Sequence, residues 1–355
     1  MPGNKTFVVI GGGMSGMTVA LEAAETGARV HLVEEGYSLG GRVAQLARYF
    51  PKMCPPSCGI EINYRRLRKN TNVEIHTLTR MTAISGKPGS FEVAIETAPR
   101  FVNADCTTCG DCIDACPAER DNAFNYGMDK TKAIFLPHPM AYPMIYAVDR
   151  AACETGCAKC VDACKYGAVN LDEKPSTETI KADAVVVATG WKPYDATKLE
   201  QLGFGKYDNV ITNVMMERML AEDGPTSGNP VKPSDGEPPK KIAYVQCAGS
   251  RDRKHLPYCS AVCCGASMKE TIIVRESNAD IEQTIFYIDR RVIGRNEDVL
   301  ARVEADEKTH FQRGKVAKIT QDPTTHVLTL HAEDTETGKK VEAEADLVVL
   351  ATGMV

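Results

Sequence analysis

Twelve of the fourteen cysteines in this 355-residue chain fall into three groups of four, and no other feature limits its fold as much. The first group is Cys106, Cys109, Cys112 and Cys116, with Pro117 directly after it. The second is Cys153, Cys157, Cys160 and Cys164, and the third is Cys247, Cys259, Cys263 and Cys264. Thiols clustered this way in a reducing compartment are read as metal ligands rather than disulfides. The first group has the Cys-x2-Cys-x2-Cys-x3-Cys-Pro spacing of a bacterial ferredoxin run. In two-cluster ferredoxins the fourth cysteine of each run ligates the other cluster. One [4Fe-4S] cluster is therefore expected on Cys106, Cys109, Cys112 and Cys164, and a second on Cys153, Cys157, Cys160 and Cys116. The second run departs from the pattern, with three residues between Cys153 and Cys157 and Lys165 in place of proline. Zinc bound by four thiolates is the alternative. The third group, Cys-x11-Cys-x3-Cys-Cys, matches neither an ordinary zinc site nor a ferredoxin, and a cluster is expected there as well.

A glycine-rich turn opens the chain. The apolar run Thr6–Ile10 reads as a buried strand, Gly11-Gly12-Gly13-Met14-Ser15-Gly16 follows, a helix is expected over Met17–Glu25, and Arg29–Val33 is the next strand. Glu34 closes this βαβ unit. The glycines permit a tight turn and a close approach to a pyrophosphate, and the helix N-terminus offers amide donors. Gly11, Gly13, Met14, Ser15 and Gly16 are the candidate phosphate-binding residues, with Glu34 as acceptor for a ribose. Gly41 and Arg42, in the Gly40-Gly41-Arg42 turn, favour FAD over NAD by analogy with flavoproteins of the disulfide-oxidoreductase type. So does the strand leading into Ala188-Thr189-Gly190, where Thr189 and Gly190 join the cofactor candidates. The same Ala-Thr-Gly turn recurs at Ala351-Thr352-Gly353.

Lys241–Gln246 reads as the opening strand of a second dinucleotide fold, but Cys247-Ala248-Gly249-Ser250 stands where a glycine-rich turn would be needed. No NAD(P)H site is expected there. A helix to Glu270, strands at Thr271–Val274 and Ile285–Ile288, a helix over Glu297–Asp306 and a closing β-meander complete the reading. The proline-rich stretch Leu136–Pro143 reads as an extended surface linker, with His138 a loop residue rather than a ligand.

With 43% apolar and 25% charged residues, the composition is that of an ordinary globular protein. A net charge of −5 gives no general attraction to nucleic acid or anionic membranes. No apolar run approaches the roughly 18 residues of a membrane span, and no export signal is visible at the N-terminus. The expected location is the cytoplasm.

These residues resemble the flavin-bearing A subunits of heterodisulfide reductase and their relatives. The resemblance rests on Gly40–Leu46, Asn125-Tyr126-Gly127, Asn213–Leu220 ahead of Gly224-Pro225-Thr226, Gln246–Arg251 and above all the Cys259/Cys263-Cys264 spacing. It implies a [4Fe-4S] cluster on the third group beside an FAD domain, partner subunits of a heterodisulfide-reductase-like complex, and a homodimer. The chain looks most like the compact A subunits of sulfur oxidisers and of the quinone-interacting membrane-bound oxidoreductase, which the Cys54–Cys58 stretch also fits. The fold expected is α/β, a thioredoxin-reductase-like flavoprotein with two dinucleotide-binding domains and an inserted two-cluster ferredoxin domain. The boundaries expected are 1–100 and 176–225 for the FAD domain, 101–175 for the insert, 226–345 for the second nucleotide-like domain and 346–355 for a return to the FAD domain.

The function expected is electron transfer by FAD and iron–sulfur clusters in the redox metabolism of sulfur compounds. One alternative is a self-sufficient flavin disulfide oxidoreductase using Cys54 and Cys58 as a redox pair. Another is a redox sensor without turnover.

Overall fold

A computed structural model describes residues 5–50 and 52–355, with Arg295 described by its backbone alone. The chain divides into two compact units. One holds the described residues up to Gln45 together with Pro56–Gly190, and the other holds Leu46–Pro55 with Trp191–Val355.

The first unit is built on a four-stranded parallel sheet. β1 (Thr6–Ile10) lies between Ala184–Val187 and β2 (Arg29–Val33), and β3 (Val73–His76) forms the edge beyond β2. α1 (Met14–Glu25) and α2 (Ser57–Lys69) supply apolar side chains to one face, where Val9, Met17, Leu21 and Leu32 are fully buried. The opposite face, bearing Val8 and Val33, packs on Val93, Ile95 and Ile180. Those residues belong to a three-stranded antiparallel sheet of Thr79–Lys87, Ser90–Thr97 and Ser176–Ala182. Strands covered on both faces read as unbroken apolar runs, as Thr6–Ile10 does.

The cysteine-rich insert leaves and rejoins this unit through a short antiparallel contact. Val102 faces Val169, Asn103 N donates to the Ala168 carbonyl and Asn170 N to that of Phe101, both at 2.9 Å. Its small core includes Cys112 and Cys160 beside Ile134, Tyr146 and Val148. A core this small needs staples to hold its fold.

Leu136–Pro143 differs from the expected surface run. Ala141 is buried, and Tyr142 exchanges backbone contacts with the loop after β2, as Leu39 N donates to Tyr142 O (2.9 Å) and Tyr142 N to Ser38 Oγ (2.8 Å). Proline-rich backbone keeps its carbonyls free of internal hydrogen bonds, and here a neighbouring loop takes them up. His138 is buried, stacked on Phe124 with centroids 4.8 Å apart, its Nε2 3.1 Å from Ser38 Oγ.

The second unit carries a seven-stranded sheet in the order Val210–Thr212, Leu347–Thr352, Lys241–Ala248, Glu282–Tyr287, Thr309–Gln321, Leu328–Asp334 and Lys340–Ala345. Its first five strands are parallel and its last two antiparallel. Several expectations are corrected here. Leu347–Thr352 does not return to the FAD domain; it is buried in this sheet, second from its edge, paired with Val210–Thr212 and Lys241–Ala248. Val210–Thr212 belongs to the same sheet, so the FAD part ends at Gly190 rather than at 225. Leu46–Pro55 also groups with this unit rather than with the FAD domain. Thr271–Val274 is not a strand but part of the helix Cys263–Ser277. Burial of Met268, Ile272 and Val274 on one packed helix outweighs the β-preference of this branched run.

Candidate functional site

In the first unit the glycine turn, the Gly-Gly turn and the Ala-Thr-Gly turn meet. Gly11 adopts φ +107, and a Cβ there would lie 2.3 Å from the Ala188 carbonyl oxygen, so the first glycine seats the turn that carries Thr189 and Gly190. A Cβ on Gly16 would stand 1.8 Å from Gly11 O, which fixes the close turn into α1. Gly13 caps α1 with extended backbone and has nothing closer to its Cβ position than Gly41 Cα at 3.9 Å. The helix N-terminus, with Met14 and Ser15 in its first turn, thus has backbone room for a phosphate. Glu34 accepts from Gly12 N at 2.6 Å and Gly36 N at 2.7 Å. It braces the turn, and each oxygen keeps a lone pair for a ribose hydroxyl.

The Gly-Gly turn is tied to the cysteine insert. Arg42 Nη1 donates to Tyr126 OH (3.1 Å), Tyr126 OH to Gln45 Oε1 (3.1 Å), and Gln45 Nε2 to Phe124 O (3.0 Å). Two segments that carried the family resemblance separately are therefore one hydrogen-bonded junction. Between them lies a cleft of about 270 Å³, walled by Leu39 and Gly41 on one side and by Phe124 and His138 on the other. Arg100, nearly buried, donates to Ile145 O (3.2 Å), Thr77 Oγ1 (3.0 Å) and Tyr37 O, pinning insert to sheet.

The eight insert cysteines are gathered in the interleaved sets. Cys106, Cys109, Cys112 and Cys164 line one small hollow. Cys116, Cys153, Cys157 and Cys160 line another. The electrostatics follow the same division. Burial pushes the Cys112 thiol up to about 11, helped by the negative charge of Cys106, Cys109 and Cys164. Burial likewise raises Cys160, with help from Cys153, Cys116 and Cys157. Thiols raised this way ionise when a metal replaces the proton.

The third set sits at the head of the second sheet. A bulge between Val245 and Ala248 puts Cys247 at φ +58, re-aiming its side chain at the end of the strand. Cys263 and Cys264 are the first two residues of the helix Cys263–Ser277. Burial pushes Cys263 up to about 12, with contributions from Cys247, Cys264 and Cys259. Asp289 holds Arg251 at 2.6 Å and Arg291 at 3.2 Å; the Arg251 charge acts on Cys247, and the Arg291 charge interacts with Cys259. Amides of Ala168 and Ala261 donate to Cys164 and Cys259 sulfurs, both at 3.3 Å.

The spacing of the thiols separates two metal chemistries. Among the described residues, no three cysteine sulfurs lie within 4.8 Å of one another. Thiolates around one tetrahedral zinc, at Zn–S of roughly 2.3 Å, stand about 3.8 Å apart. In this metal-free structure the thiols thus stand wider apart than the ligands of one zinc ion.

Cys54 lies in the segment grouped with the second unit, bridged to Tyr49, whereas Cys58 is exposed in the first turn of α2 in the first unit. A buried charge cluster in the second unit escapes sequence reasoning. Lys269 Nζ lies 2.5 Å from Glu217 Oε1 and donates to Arg48 O (2.6 Å), while Glu217 Oε2 accepts from Ala47 N (2.9 Å). Glu270 beside it is wholly buried. That burial, reinforced by the Glu217 charge, holds its carboxyl well above the usual range. Nothing in the sequence marks it: the helix Cys263–Ser277 carries Lys269, Glu270, Arg275 and Glu276, and only packing buries the first two.

Among the described residues, no helix is long and apolar enough to cross a membrane. Residues 7–113 match the family model described as FAD dependent oxidoreductase. The fold is similar to thioredoxin reductase of T. acidophilum, with a TM-score of 0.51 at 12% identity, covering 99% of this chain and 78% of that one. Thioredoxin reductase of Lactococcus lactis gives the same TM-score and coverage. In sequence, the chain is 38% identical over 351 residues to the A subunit of the H(2):CoB-CoM heterodisulfide,ferredoxin reductase of Methanothermobacter thermautotrophicus, covering 98% of this chain and 53% of the relative. It is 39% identical to the iron-sulfur A subunit of the CoB--CoM heterodisulfide reductase of Methanocaldococcus jannaschii, covering 99% of this chain and 54% of the relative. The chain spans about half the length of these curated relatives. Over nearly its whole length it matches them, and it belongs to the family of heterodisulfide reductase A subunits.

Proposed function

We propose that this chain is the flavin- and iron–sulfur-bearing electron-transfer subunit of a heterodisulfide-reductase-like complex, acting in thiol and disulfide redox chemistry. It works in the cytoplasm, as a homodimer alongside partner subunits that bind the sulfur substrate. The observation that carries the reading is the gathering of twelve cysteines into three open sets of four, on a chain whose first unit carries an FAD-type glycine turn.

When bound, a flavin supplies two-electron chemistry and [4Fe-4S] clusters supply single-electron transfer. The residues of the chain do the positioning. Gly11, Gly13 and Gly16 bring the α1 amides of Met14 and Ser15 to a pyrophosphate, Glu34 holds a ribose, and Gly41, Thr189 and Gly190 shape the turns around them. Arg42 ties the FAD side to the insert through Tyr126. The three cysteine sets hold the clusters. Arg251 and Arg291 keep positive charge beside the third set, which favours its more reduced, more negative state. In the second unit, Cys247 occupies the place of a glycine turn, so this nucleotide-type sheet presents thiolates instead of a phosphate cradle.

Flavin, iron and sulfide analysis of protein purified without oxygen, with EPR after reduction, tests this. One FAD and about twelve irons per chain, four for each [4Fe-4S] cluster, are expected. Zinc in place of iron, or no flavin, overturns the proposal.

A further inference from the structure

A cluster of metal-ligating side chains that includes no cysteine lies on the parallel sheet of the first unit. β2 and β3 run parallel, with His31 opposite Glu74 and Val33 opposite His76. Alternation along a strand puts Glu74 and His76 on one face, and the register brings His31 to the same face. Among the described residues, His31, Glu74 and His76 are the one group of three or more His, Cys, Asp or Glu whose ligand atoms all lie within 4.8 Å. His31 Nδ1 is 3.0 Å from His76 Nε2, Glu74 Oε2 is 3.6 Å from His31 Nδ1, and Glu74 Oε1 is 3.7 Å from His76 Nε2. Around a zinc ion with ligand bonds of roughly 2.0–2.1 Å, tetrahedral geometry sets neighbouring ligand atoms about 3.3 Å apart. The three distances bracket that value; the two carboxylate distances run to different oxygens of Glu74, and the ion would take the place of the His31–His76 hydrogen bond.

We propose that His31, Glu74 and His76 bind one borderline divalent cation, Zn2+ in the first instance. Two imidazoles and a carboxylate suit zinc and leave one position for water at the exposed Glu74 side. His31 is buried, and His76 and Glu74 hold its ring on the shared face. Arg29 shares Glu74 Oε2 at 3.2 Å, so the carboxylate stays oriented with or without the ion. The site joins the edge strand β3 to β2. The His76 carbonyl accepts from Glu34 N at 2.8 Å, so the same strand pair sets the ribose-binding acid. The ion's role is structural, fastening the edge of the sheet where a cofactor is held.

Anaerobic holoprotein, dialysed against a mild chelator and titrated with zinc sulfate in a calorimeter, tests the site, with zinc, iron and flavin counted afterwards. One zinc per chain is expected, with no iron released. His76→Gln and Glu74→Gln each weaken binding at least tenfold while iron and flavin counts stay at wild-type levels. His31 is buried and its replacement risks the fold, so the decision rests on these two exposed-side variants. Absence of saturable zinc binding, zinc uptake that expels iron, or undiminished uptake by His76→Gln overturns the proposal. The last two would mean that the cysteines take the zinc.

Discussion

Gly41 and Gly13 face each other so closely that a Cβ on Gly41 would lie 2.9 Å from Gly13 Cα. Gly41 also sits at φ +55, where a side chain costs further strain. Gly41→Ala must therefore push the two turns apart just where the pyrophosphate would lie. The expected result is at least a tenfold loss of bound FAD, read from the flavin-to-protein ratio after gel filtration. Gly89→Ala, at positive φ but with nothing within 4 Å, serves as control. It should cost about 1 kcal/mol of stability with flavin retained.

The interleaving of the insert is open to counting. Cys109→Ser with Cys164→Ser removes two ligands of one set and should lower iron by about four per chain. Cys109→Ser with Cys116→Ser touches both sets and should lower it by about eight. The reverse pattern, eight lost in the first double variant and four in the second, would mean that each run holds its own cluster.

Arg251 stands 2.6 Å from Asp289 and places its charge on Cys247. Arg251→Gln removes a positive charge that favours the reduced state. The midpoint potential of the third cluster should fall on the order of 50 mV, a partly screened charge acting over several ångströms. An EPR redox titration that leaves this signal unmoved counts against the assignment.

Glu270 makes folding depend on pH with a definite sign. Its folded-state proton affinity is raised by burial, then by the Glu217 charge. At pH values below the unfolded carboxyl range both states hold the proton. As pH rises through and above that range, only the unfolded state releases it, so stability falls at up to about 1.4 kcal/mol per pH unit. Glu270→Gln keeps the shape without the titration. Its Tm should decline less between pH 5 and about 8 than that of wild type. Parallel curves would show that Glu270 does not hold its proton.

Cys54 and Cys58 fall in different units and stand outside all three sets. Serine at both positions should leave flavin and iron content and electron transfer unchanged. Loss of activity with FAD still bound would instead identify them as a redox pair.

What could be read from the sequence was local. The glycine turn and the ferredoxin runs declare themselves because their chemistry is written in spacings of a few residues, which hold whatever surrounds them. The two Ala-Thr-Gly turns show the limit. Residues 184–190 and 347–353 look alike because each strand borders the first strand of a nucleotide-type sheet, β1 in one case and Lys241–Ala248 in the other. The motif names the role, and only pairing tells which sheet. His138 reads as a loop residue until Phe124 and Ser38 are seen against it. The Glu217–Lys269 pair and the His31–Glu74–His76 group have no signature at all. They arise from tertiary packing and from strand register, which a one-residue slip would erase.

The proposed exchange of Cys116 and Cys164 between the two runs would also govern the order of assembly. In that assignment neither half of the insert owns a full set of ligands, so no cluster can be completed on a nascent chain before residue 160 has emerged and folded back. Delivery of the first iron cube closes the long loop between the runs and brings the remaining thiols together for the second.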